Sequence, residues 1–73
     1  MAGIIRFNND LMSWARWGKG SLDLKVRAAA EAVMSFCVLH AWDKMVHVPD
    51  RLEPFVDLLE HAWSDRNVGK AAQ

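Results

Sequence analysis

Hydrophobic positions recur with the period of a helix along most of this chain. From Leu22, the residues Val26, Ala29, Ala30 and Val33 return at steps of three and four, and Asp23, Arg27 and Glu31 form a polar stripe at i, i+4 spacing. Further on, Leu52, Phe55, Val56, Leu59, Ala62 and Trp63 build a second apolar stripe, with Glu53, Asp57, Glu60 and Asp65 opposite it. A shorter segment places Leu11, Trp14 and Ala15 on one face, with Trp17 projecting away from Leu11. Three helices are predicted. No stretch alternates with period two for long enough to predict a strand, although Gly3 to Phe7 is compatible with extended backbone.

Caps and breakers set the expected boundaries. The first helix runs from about Asp10 to Trp17, with Asn8 or Asn9 as its cap and Gly18 placed to end it. Ser21 caps a long second helix, Leu22 to Val46, which must stop before Pro49. Asp50 and Glu53 have capping-box spacing for the third helix, Pro54 falls in its first turn, and it should stop near Asn67 to Gly69. The expected fold is therefore all-α: a small three-helix domain with a short first helix, a long central helix and an amphipathic third helix. A single domain spans residues 1–73, with 1–8 and 68–73 flexible.

The second half of the central helix departs from amphipathicity. Met34, Phe36, Cys37, Val38, Leu39, Ala41, Trp42 and Met45 leave hardly any polar side between Val33 and Val46. A helix apolar all round must be surrounded by protein, and two other helices, one of them short, offer little cover. Self-association or a partner is the natural remedy, and a homodimer would bury Met34, Val38, Trp42 and Met45.

Size sharpens the point. The chain has 73 residues and one cysteine, so no internal disulfide staples it. Packing, self-association or a partner must hold it. An apolar share of 52% favours a folded core over disorder. The longest run without a charged residue, Ala32 to Trp42, has 11 residues, against about 20 for a membrane-spanning helix, and Arg6 ends the apolar N-terminus too early for a signal peptide. A cytoplasmic protein without membrane contact is expected.

Charge is balanced but unevenly spread: +3 over residues 1–30 and −2 over residues 47–73. A neutral chain offers few net cations to phosphates, so specific DNA binding is not expected. A helix-turn-helix reading would make the third helix the reader, and its polar face is acidic, the wrong sign. A polarised chain can still steer towards a charged protein surface.

The residues offer little chemistry. Cys37 and His40 share a helix face, with His47 two turns on, but a structural zinc site needs four ligands at recognisable spacing. Ser35, Cys37, His40 and Asp43 spread over several faces and make no nucleophile–base pair. Gly18-Lys19-Gly20-Ser21 lacks the strand, the spacing and the residue order of a phosphate loop. No catalytic residue, metal or cofactor is assigned, and the chain is expected not to be an enzyme.

Four tryptophans in so short a chain point instead to recognition. Each buries roughly 150–250 Å², and tryptophan and arginine dominate binding hot spots. Trp14 and Trp17 flank Arg16 in the basic third of the chain, so Arg6, Trp14, Arg16, Trp17, Lys19, Lys25 and Arg27 form the candidate partner-binding set.

The segment Leu11-Met12-Ser13-Trp14-Ala15-Arg16-Trp17-Gly18 resembles the opening of bacteriophage late-gene antitermination proteins, which carry closely spaced tryptophans, a glycine and an arginine on a first helix. The basic DNA-reading helices of those proteins have no counterpart here. In size and make-up the whole chain is similar to small bacteriophage transcription regulators that bind host RNA polymerase. That resemblance implies a non-enzymatic regulator that docks on a large polymerase subunit, inhibits initiation or suppresses termination, and works in the host cytoplasm. The alternative expectation is a helical homodimer that acts as an inhibitor or interaction module on another host protein, such as a defence system.

Overall fold

A computed structural model describes the backbone of residues 5–72 and the side chains of residues 5–66. The chain order is strand β1 (Ile5–Phe7), helix α1 (Asn8–Lys19), helix α2 (Leu24–Leu39), strand β2 (Met45–His47) and helix α3 (Glu53–Ala72). This is a small, mostly α three-helix domain. A two-stranded antiparallel ribbon is added to it, pairing Ile5 with His47, Arg6 with Val46 and Phe7 with Met45.

The central helix is the main correction. It was expected over Leu22 to Val46, and it ends at Leu39. His40 leaves helical backbone at φ −117°, ψ 33°, where its N–H donates to the Cys37 carbonyl and the Ala41 N–H to that of Val38. The cause is tertiary. Asn8, 3% exposed, donates its Nδ2 to the His40 carbonyl at 2.9 Å and its backbone N–H to the Lys44 carbonyl at 3.0 Å. One buried amide thus takes up a carbonyl at the end of α2 and continues the ribbon ladder. The departing chain then alternates: Met45 and His47 are exposed, Val46 and Val48 buried. That is a strand pattern two β-branched residues long.

Helix boundaries shift elsewhere for local reasons. Asn8 belongs to α1 rather than capping it, and Phe7 in extended backbone precedes the helix without a side-chain cap. Asp23, not Ser21, caps α2 by accepting from the Lys25 N–H at 2.9 Å, and Ser21 Oγ accepts from the Asp23 N–H. Residues 5–8 form β1 and the start of α1, and α3 carries on past 67 to Ala72. Residues 1–4 and 73 lie outside the described residues.

The core is one cluster drawn from the three helices, β2 and the segment between β2 and α3. It comprises Leu11 and Ala15 of α1; Val26, Ala29, Ala30, Val33 and Cys37 of α2; Val46 and Val48; and Leu52, Val56 and Leu59 at and along α3. Leu22, placed on the apolar face of the second helix, is instead 94% exposed because it precedes the helix.

Gly18 sets how closely the helices approach. It was expected to end the first helix, but it lies inside α1 and is buried. A Cβ there would stand 2.8 Å from Leu59 Cδ2, 2.9 Å from Ala30 Cβ and 3.4 Å from Val26 Cγ1. The gain in helix propensity from Gly18→Ala, up to about 1 kcal/mol, is outweighed by overpacking of about 1–3 kcal/mol. Gly18→Ala should therefore lower the midpoint of denaturant unfolding. Gly20→Ala should leave it nearly unchanged, since that Cβ meets only the Trp17 carbonyl at 3.7 Å. An unshifted midpoint in Gly18→Ala would show that the helices part at little cost.

Candidate functional site

The candidate residues fall into separate groups. Arg6, on the inner face of the ribbon beside buried Val46, reaches across to α3. Its two terminal nitrogens donate to the two carboxylate oxygens of Glu60 at 3.1 and 3.2 Å, and Asp57 stands 4.0 Å away. A bidentate guanidinium–carboxylate pair combines charge with fixed geometry. It clamps the ribbon onto the acidic side of α3.

Trp14 and Trp17 are both half-buried and pack against the core. Trp17 meets Trp63 of α3 edge-to-face, with ring centroids 5.7 Å apart and planes at 85°. The Arg66 guanidinium stands 3.9 Å from the Trp63 centroid and 5.9 Å from that of Trp17. Edge-to-face aromatic pairs and stacked cations add to plain burial, so this group ties the end of α1 to α3.

Arg16 and Lys19 lie exposed in the last turn of α1, and Lys25 lies exposed in the first turn of α2. Among the described residues none of the three makes an ion pair. The structure therefore gathers three solvated cations around the short α1–α2 link. Arg27 turns inward instead and donates Nε to the Ser21 carbonyl at 3.2 Å.

A second surface was legible only in outline. Trp42 is 99% exposed, Leu39 82% and Val38 61%, at the end of α2 and in the turn beyond it. Ile5, Phe7 and Met45 stand outward from the ribbon, each about half exposed. The expected apolar seam on the central helix included Met34, which is half-buried against the core, and Met45, which the ribbon carries. A shallow apolar groove of about 290 Å³ lies between α2 and α3, lined by Lys25, Ala28, Pro54, Phe55 and Leu58.

Among the described residues the titratable groups form no reactive cluster. Cys37 is buried, and burial pushes its thiol up to about 11. His40 packs its ring on Phe36 and pairs Nδ1 with Asp43 at 3.1 Å. Among the described residues no three His, Cys, Asp or Glu side chains stand together as a metal site, and no helix is long and apolar enough to cross a membrane.

Compared with protein-family models, curated proteins and solved structures, the chain matches none.

Two predictions follow from this geometry. A double-mutant cycle with Arg6→Met and Glu60→Gln should return a coupling of about 0.5–1.5 kcal/mol, modest because both side chains keep some water contact. A coupling near zero would mean that the ribbon is held by Val46 and Asn8 alone. Cys37 should resist thiol reagents at pH 8 in the folded chain and react quickly once it is unfolded. Because the folded thiol titrates near 11 and the unfolded one near 9, the unfolded state loses its proton first. Stability should therefore fall as pH rises from about 9 to about 11, relative to a Cys37→Ala variant measured in parallel.

Proposed function

We propose that this chain is a non-enzymatic, phage-type regulator that binds host RNA polymerase and acts by occupying a surface that initiation or termination requires. The observation that carries the reading is the set of exposed cations, Arg16, Lys19 and Lys25, around the α1–α2 link without ion-pair partners among the described residues. Cations left unpaired beside a rigid aromatic group are free to meet an acidic protein surface. The net charge of zero argues against a general attraction to nucleic acid. The resemblance of Leu11 to Gly18 to antitermination proteins supports polymerase as the partner. Trp17 serves this surface from below: packed on Trp63, it fixes the helix end that presents Arg16 and Lys19.

Affinity capture from bacterial lysate with the tagged chain should enrich the large polymerase subunits. Arg16→Glu combined with Lys19→Glu should weaken that binding about tenfold or more, and raised salt should weaken it for the unaltered chain. These two substitutions suit the test because both side chains are solvated, whereas replacing Trp17 would disturb the fold. Failure to recover polymerase, or undiminished binding by the folded double variant, overturns the reading.

A further inference from the structure

We propose that a second copy of this chain covers the surface formed by the outer face of the ribbon and the turn after α2. Ile5 and Phe7 alternate outward from β1, and Met45 stands directly across from Phe7. All three, together with His47 across from Ile5, therefore lie on one face, while Arg6 and Val46 face inward. Asn8 bonds to both His40 and Lys44, which fixes the turn at the Phe7–Met45 end of the ribbon. That turn, with the last residues of α2 before it, carries Val38, Leu39 and Trp42, the last of them 99% exposed.

Area decides who the occupant is. These six residues are each between 51% and 99% exposed. Their combined exposed surface is of the order that one partner gives to a standard stable interface, about 800 Å². A symmetric pair places the same patch on both sides, so the whole surface is matched by an equal one. Charge does not oppose such a pair. The chain is neutral, and Asp43 and Lys44 beside Trp42 offer both signs at the rim. Trp42 has the profile of a central anchor: large, rigid and without a partner within its own chain among the described residues. The ribbon gains as well, since two strands of three residues are marginal alone.

Sedimentation velocity tests this directly at about 50 μM chain, a concentration at which any dimer with a micromolar or tighter dissociation constant is populated. The full chain should sediment at twice its 8.3 kDa mass. Trp42→Asp and Leu39→Asp should each weaken the dimer at least tenfold and leave far-UV circular dichroism unchanged, because both side chains are solvent-exposed in the single chain. Leu22→Asp, at the other end of α2 and equally exposed, should keep the dimer. A monomeric full chain, an open series of larger species, a folded Trp42→Asp that stays dimeric, or loss of the dimer in Leu22→Asp would each overturn the proposal. All of these outcomes are read as mass, not as polymerase binding, which rests on Arg16, Lys19 and Lys25 and stands or falls separately; Leu22→Asp, beside those cations in the α1–α2 link, serves only as the control for dimerisation.

Discussion

The three helices meet where one of them has no side chain. Gly18 is buried in α1, and the space that its Cβ would fill is held by Leu59 of α3 and by Ala30 and Val26 of α2. Close approach of helix backbones needs small residues at the crossing, and Ala15, Ala29 and Ala30 extend the same condition along α1 and α2. A core made of alanine, valine and leucine stripes is thin, so its stability depends on dispersion contacts at short range rather than on large buried volumes. The larger side chains then pack round this tight centre. Trp14 and Trp17 are half-buried against it, and Met12, Met34 and Phe36 close its sides. A methyl group at Gly18 would push α1 away from both partners at once, which is why so small a residue governs the whole arrangement.

What the chain shows in its sequence follows from which forces are local. The apolar stripes of α2 and α3 were legible because burial of one helix face imposes a period of 3.6, and Val26, Ala29, Ala30, Val33, Leu52, Val56 and Leu59 all lie in the core as their spacing requires. The end of α2 was not legible. No glycine or proline stands between Phe36 and Val48, and the residues there are apolar enough to continue a helix. The break comes from Asn8, thirty-two residues earlier, whose amide takes the His40 carbonyl. The one local sign of β2 was the alternation of Met45, Val46, His47 and Val48, too short to outweigh the helical run before it. The same distinction explains Gly18: its position suggests a helix stop, and only the crossing reveals a packing role.

The candidate set divides along similar lines. Charge and aromatic content pointed to the first third of the chain, and that region does hold solvated cations. But which cation is free depends on contacts that span the fold. Arg6 is engaged by Glu60 at a separation of 54 residues, whereas Arg27 is engaged locally, by the Ser21 carbonyl before α2. The tryptophans behave the same way. Trp17 and Trp63 are brought together by the α1–α3 packing, a contact that periodicity within either helix cannot express. Trp42 is exposed because the helix expected to carry it ends three residues earlier.

Ending α2 early also changes the meaning of its apolar second half. Had the helix run on, Val38, Leu39, Trp42 and Met45 would have been spread around a cylinder, and no single neighbour could have covered them all. The turn and ribbon divide them instead. Val46 and Val48 go to the core, and Val38, Leu39, Trp42 and Met45 stay outside with Ile5 and Phe7. A chain this small cannot bury every apolar side chain it carries, since the surface-to-volume ratio rises as a domain shrinks. Residual apolar area is therefore expected, but a fully exposed tryptophan beside two exposed aliphatics is more than scatter. The same buried amide that stops the helix thereby creates the surface most in need of cover.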